Sequence, residues 1–282
     1  MKGFLFFFAK RYIAGTDKLD AIEAARRLNA LNISAAIDNL GENVRNASGA
    51  QAPVTEYLGL LDEIKKSGVD SVVSLKLTHL GLDISEELAA ENAGVIVKKA
   101  QEYGNFVWFD MESSAYTERT VDILLALRKQ YPNVGVAVQS CLFRSAGDVK
   151  RLIEHRAAVR LVKGAYREPP EIAFKDKKDV DANFSLLMRE LLLKGSRTAV
   201  ATHDTALIEE AIRFAKENNI SKERFEFQLL FGIKRTLQKR LASEGYRVRV
   251  YIPYGAEWLP YTLRRLGERK ENWIFVLKNI FD

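Results

Sequence analysis

Near its C-terminal end the chain reads "PYTLRRLGER", with Tyr261, Arg264, Arg265 and Glu268 spaced by three and four residues. On a helix at about 100° per residue these four side chains share one face. Paired guanidinium groups match the two oxygens of a carboxylate better than ammonium groups do. The pattern therefore admits two readings, a solvated charged face or a face that holds a small anion. Leu259, Leu263 and Leu266 mark the opposite side.

A second set of chemically capable residues recurs along the chain. Asp38, Lys76, Asp110, Gln139, Lys163, His203, Gln228 and Tyr251 each end or follow a short apolar run. A metal centre is one chemistry open to such a set, with Asp38, Asp110 and His203 as ligands. His79 and His155 are badly placed to help, and no HxH or HExxH spacing occurs. No metal is therefore expected. Schiff-base chemistry at Lys76 or Lys163 is a second option and requires a desolvated lysine. A third is an organic cofactor laid over "VKGAY", residues 162–166, where Gly164 and Ala165 allow a flat ring or phosphate close to the backbone.

The elements that must position these residues repeat regularly. Helical patterns at 17–32, 55–67, 85–103, 117–131, 146–155, 180–194, 205–218 and 233–244 alternate with short strand-like runs, and 258–269 forms a last helix. Thr117 is the expected N-cap of the fourth of these. The runs are short, rich in β-branched residues and often apolar throughout, as strands covered on both faces demand. Eight strand–helix units define an α/β chain that closes into a (β/α)8 TIM-type barrel. A doubly wound sheet is disfavoured because no GxGxxG occurs. In such a barrel the strand C-termini carry the site, so the helix bearing Arg264 and Arg265 belongs over that face.

Composition narrows the function classes. The 43 basic residues are interspersed with 37 acidic ones, so the charge of +6 reads as solubility and attraction for anions rather than as a nucleic-acid surface. Cys141, the single cysteine, excludes an intramolecular disulfide, fits a reducing cytoplasm and reads as a small buried residue. No run approaches the roughly 20 apolar residues of a membrane span. No linker divides residues 1–282, so they are expected to form one domain. Residues 1–16, including the apolar "GFLFFFAKRY", are a short N-terminal segment read as packing or as a truncation.

"SLKLTHLGLDIS", "FDMESS", "VAVQSCLFR", "VRLVKGAYREP", "VATHD", "FEFQLLFGI", "RVRVYIPYG" and "YTLRRLGER" occur in this order. Together they closely resemble the proline dehydrogenase family, the flavin-dependent barrel enzymes of proline catabolism. The resemblance runs from about residue 14 to 277. It implies noncovalent FAD, L-proline as substrate, 1-pyrroline-5-carboxylate as product by hydride transfer from C5 to flavin N5, and a quinone as electron acceptor. A quinone acceptor implies a peripheral position at the inner face of the membrane, and the association state of the chain is left open. Arg160, Lys163, Gly164, Ala165, Gln139, Thr202, His203, Gln228 and Met111 are the implied flavin-holding positions. Lys76, Asp110, Tyr251, Tyr261, Arg264, Arg265 and Glu268 are the implied substrate positions, with Asp110 and Arg160 catalytic and Tyr166 and Leu230 walling the pocket. Tyr251 favours proline over hydroxyproline. Leu77 and His79 depart from the proline and glutamine common in the family.

Overall fold

Each apolar run pairs with the next to form one closed, all-parallel barrel in the order β1-β2-β3-β4-β5-β6-β7-β8. The computed structural model describes residues 9–267. The strands are β1 (Ser34–Asn39), β2 (Ser71–Leu75), β3 (Val107–Phe109), β4 (Val134–Gln139), β5 (Ala158–Val162), β6 (Arg197–Ala201), β7 (Phe225–Leu230) and β8 (Arg247–Tyr254). β2, β3 and β4 are buried along their whole length. Helices on the outside and packed side chains within leave such strands no solvated face. Pairing of Ser34 with Arg249 through Asn39 with Tyr254 closes the circle.

The helices alternate with the strands as α1 (Lys18–Asn29), α2 (Ala47–Ser67), α3 (Glu86–Glu102), α4 (Ser114–Arg128), α5 (Ser145–Glu154), α6 (Lys177–Lys194), α7 (Thr205–Glu217), α8 (Arg235–Ser243) and α9 (Trp258–Gly267). Asp17 is the N-cap of α1 and accepts from the Leu19 amide, while Asp20 reaches back to the cap's own N–H. This reciprocal pairing satisfies amides left open by the first turn. α2 begins eight residues before the expected 55, capped by Asn46, and carries Pro53 within it. α4 corrects a second expectation, because it starts after Ser113 and buries Thr117 inside the helix. Thr117 is thus no cap.

Side chains of alternate residues fill the barrel. Ala36, Val72, Trp108, Ala158 and Ala199 form an inner apolar cluster. Gly135 makes room for the Trp108 indole, since a Cβ there would lie 2.6 Å from the ring. Below this layer Glu226 is held by Arg249 at 3.0 Å, with Arg197 at 3.8 Å. Burial works against the charge on Glu226, but Arg249 and Arg197 outweigh it and lower its pKa to about 2.

Residues 9–15 run across the far ends of β7 and β8. Ala14 donates its amide to the Pro253 carbonyl at 2.9 Å, and Gly255 donates to Gly15 at 3.1 Å. Ala9, Tyr12 and Ile13 pack with Leu40 and Tyr261 as a separate apolar cluster. The N-terminal segment and α9 are therefore fastened to each other over the same end of the barrel. No helix among the described residues is long and apolar enough to cross a membrane.

Candidate active site

A cavity of about 440 Å³ opens at the C-terminal ends of the strands. Its size falls in the range typical of small-molecule and cofactor sites. Lys76, Asp110, Arg160, Tyr251 and Tyr261 line one part of it. Parity explains the convergence: Asp38, Ser74, Asp110, Arg160 and Tyr251 all occupy inward positions of neighbouring strands or lie just beyond them.

Asp110 is the hub. Its Oδ1 accepts from Ser74 Oγ at 2.7 Å and Arg160 Nη1 at 2.5 Å, and its Oδ2 accepts from Tyr251 Oη at 2.6 Å. Lys76 Nζ lies 3.0 Å from Asp38 Oδ2 and 3.6 Å from Asp110 Oδ2. Burial works against charge on Asp110, yet Lys76 and Arg160 outweigh it and hold the carboxyl below its usual range. Burial likewise opposes charge on Lys76, but Asp38 and Asp110 raise its pKa above the ordinary lysine value. Burial, reinforced by Asp110, pushes the Tyr251 phenol well above its normal range. The cluster thus holds the Asp110 carboxylate, two cations and a neutral phenol, while burial raises the pKa of the Asp38 carboxyl against the pull of Lys76.

That electrostatic pattern bears on the alternatives. A Schiff-base lysine needs an unprotonated amine, whereas Asp38 and Asp110 favour ammonium at Lys76. No group of three His, Cys, Asp or Glu side chains among the described residues is arranged to hold a metal ion.

Arg160 is buried in mid-strand, its guanidinium 4.8 Å from the Trp108 ring centroid and 5.6 Å from that of Tyr251. Its Nε and Nη2 have no hydrogen-bond partner among the described residues. Buried donors left unmatched by protein are costly and call for an acceptor from water or a ligand. Arg160 also lines the cavity, so a planar group bearing carbonyl and ring-nitrogen acceptors, such as a flavin, fits beside it.

Gln139, Met111, Thr202, His203 and Gln228 line the same cavity, as do Lys163, Gly164, Ala165, Tyr166 and Leu230. Gly164 has φ +112, and a Cβ there would lie 2.3 Å from Cys141 Sγ. Only glycine fits this approach. Cys141 is half-buried, and burial pushes its thiol up to about 11, so it stays protonated at neutral pH. Gln139 donates Nε2 to the Glu112 carbonyl at 2.9 Å, and Gln228 donates to Glu226 at 2.5 Å. His203 Nε2 accepts the Leu230 amide at 2.9 Å.

Lys163 departs from a simple phosphate receptor. It pairs with Asp204 at 2.8 Å and with Asp181, and Lys177 joins the same two carboxylates. Its hydrogen bond to Asp204 leads the causes that lower that carboxyl's pKa. Of the expected anion-holding helix face, Tyr261 is buried and lines the cavity. Arg264 and Arg265 are described only as backbone of α9, and Glu268 lies outside the described residues.

Three contributors escaped the sequence reading of the site, whereas Asp38 stood in it as a strand-end residue and candidate ligand. Ser74 is legible only as the inward neighbour two positions before Lys76. Glu112 is buried and accepts from the Thr78 amide at 3.1 Å and from the Thr78 hydroxyl. Glu168 accepts from both the amide and hydroxyl of Ser114, at 2.8 and 2.5 Å, tying the loop after β5 to the start of α4.

The closed barrel with a charged, aromatic cavity at its strand ends defines the class of (β/α)8 barrel proteins, and comparison narrows it. The family model described as "Proline dehydrogenase" matches residues 21–278. The chain is 40% identical over 272 residues to Proline dehydrogenase 1 of Bacillus subtilis (strain 168), covering 96% of this chain and 90% of that protein. It is 39% identical over 277 residues to Proline dehydrogenase of Deinococcus radiodurans, covering 96% and 89%. Among solved structures it resembles proline utilization A from Bdellovibrio bacteriovorus inactivated by N-propargylglycine, with TM-score 0.88 and 27% identity. That match covers 95% of this chain and spans 33% of the other. The chain belongs to the proline dehydrogenase family.

Proposed function

We propose that the chain oxidises L-proline to 1-pyrroline-5-carboxylate, the first step of proline catabolism. The observation that carries this reading is Arg160, buried between Trp108 and Tyr251 and lining one cavity with Lys76 and Asp110. FAD bound there would supply the hydride acceptor for C5 of the substrate ring, and a quinone at the membrane surface would take the electrons onward.

The chain's own groups bind and orient. Arg160 holds donors toward the flavin ring while Asp110 fixes its position. Gly164 and Ala165 let the cofactor approach the backbone, and Gln139, Thr202, His203, Gln228 and Met111 complete that wall. Lys76 presents a fixed positive charge to the substrate carboxylate, with Arg264 and Arg265 as the guanidinium pair and Glu268 as a further substrate position. Tyr251 keeps its proton on Oη, donated to Asp110, and offers its ring as a wall. Fixing a small ring by its carboxylate converts a random encounter into a near-attack pose.

The test is the visible spectrum of the protein with FAD, before and after L-proline is added without oxygen. Proline is expected to bleach the oxidised flavin band. A protein that stays colourless after FAD is supplied overturns the cofactor assignment, and a yellow protein that proline leaves unbleached overturns the substrate.

A further inference from the structure

We propose that Asp38 is a positioning residue for Lys76, bracketing its ammonium with Asp110 so that Lys76 serves as a permanent cation rather than a proton acceptor. The inference rests on the functional reading above. Asp38 does not line the cavity, so it acts through the lysine and not on a ligand.

The geometry is specific. Asp38 is fully buried in β1, and Lys76 stands just beyond the end of β2, with the two strands paired at Asp38 and Ser74. Of the two carboxylates, Asp38 is nearer to Nζ, at 3.0 Å against 3.6 Å for Asp110. Asp110 has three other donors, namely Ser74, Arg160 and Tyr251. Much of its capacity is therefore spent elsewhere. Asp38 is held from behind by Tyr57 of α2, whose hydroxyl lies 3.2 Å from Oδ1 and 3.3 Å from the Asn39 carbonyl. Tyr57 is itself fully buried.

The other groups facing Lys76 do not replace this anchor: Glu112, a further buried carboxyl that feels the lysine's charge, is held by the Thr78 amide and hydroxyl, and burial raises its pKa. Arg160 and His79 contribute no negative charge; burial, with Lys76 acting the same way, keeps the His79 imidazole neutral, pushed down to about 4. Tyr166 and Tyr251 are phenols, and burial keeps Tyr251 protonated. A buried ammonium that loses its nearer carboxylate is left partly uncompensated, which favours the neutral amine. A neutral, mobile lysine no longer draws a substrate carboxylate to a fixed point.

The test compares Asp38→Asn, Lys76→Met and the double variant, each loaded with flavin, by steady-state proline oxidation across pH. Asp38→Asn is expected to retain flavin, to raise KM for L-proline about tenfold or more with a smaller change in kcat, and to make kcat/KM turn down at lower pH than in the wild type. In the Lys76→Met background the same substitution is expected to change KM by less than about twofold. Additive effects on KM, or an unchanged KM and pH profile in the single variant, overturn the proposal. Where Asp38→Asn does not fold, Tyr57→Phe carries the test. A several-fold rise in KM that vanishes in the Lys76→Met background is then expected, and an unchanged or additive KM overturns the clamp. A wild-type protein whose flavin is not bleached by proline overturns the functional reading instead, so the two failures are distinct.

Discussion

The His79 imidazole lies where Gly41 lacks a Cβ, which would stand 2.2 Å from Nε2. It is buried close to Lys76, and burial followed by the lysine's charge pushes its pKa down to about 4. In the unfolded chain the ring titrates near 6.5. Between those values the unfolded chain binds a proton that the folded protein refuses, so stability falls as pH drops from about 6.5 towards 4. The loss amounts to about 3 kcal/mol at most. His79→Gln removes that titration. Denaturant melts at pH 7 and 4.5 are expected to show the wild type losing more stability than the variant. An equal loss in both proteins rules the imidazole out as the cause. Single residues of the site were unevenly legible. Lys76 and Asp110 announce themselves as polar residues after apolar runs. Arg160 does not, because a mid-strand charge gives no sign of the Trp108 and Tyr251 rings that flank it; it was carried only by the family resemblance. The partnership of Asp38 with Lys76 needs the register of β1 on β2, which no local spacing reveals.

At the scale of elements, alternation was the legible part and boundaries were not. The pattern starts a helix at 55, yet α2 runs through Pro53 from an Asn46 cap. α4 starts at Ser114 because Glu168, 54 residues away, receives its first amide and hydroxyl. Thr117 looked like a cap only because that partner is invisible locally. The same contact anchors the loop that carries Lys163, Gly164 and Tyr166 to the cavity. Glu168→Ala is expected to cost about 1 kcal/mol, like the loss of an N-cap, and to speed amide exchange at 114–116 and across 163–176. Exchange unchanged in both stretches assigns the loop's order to other contacts.

For the whole molecule, the eightfold repeat foretold the closed barrel, whereas the apolar N-terminal run signalled packing without showing that residues 9–15 fasten over the ends of β7 and β8. Gly232, at φ +76, makes that fastening possible: a Cβ there would lie 1.7 Å from the Arg11 carbonyl oxygen. Gly232→Ala combines backbone strain of about 1–3 kcal/mol with this clash. Its Tm is expected to fall by about 2–4 °C for each kcal/mol lost, and residues 9–14 to become easier to exchange. A variant melting like the wild type would show that the segment shifts without cost. The closing pair, β1 on β8, also has a consequence in time. Ala35 and Arg249, hydrogen-bonded across that seam, are 214 residues apart. At about 5–20 residues per second, translation takes about 10–40 s to deliver β8 after β1. Throughout that interval β1 has one bare edge, and Tyr251 has yet to reach Asp110. The nascent chain therefore gains its finished pocket only when the last strand arrives, which makes ligand capture a late, all-at-once event rather than a gradual one.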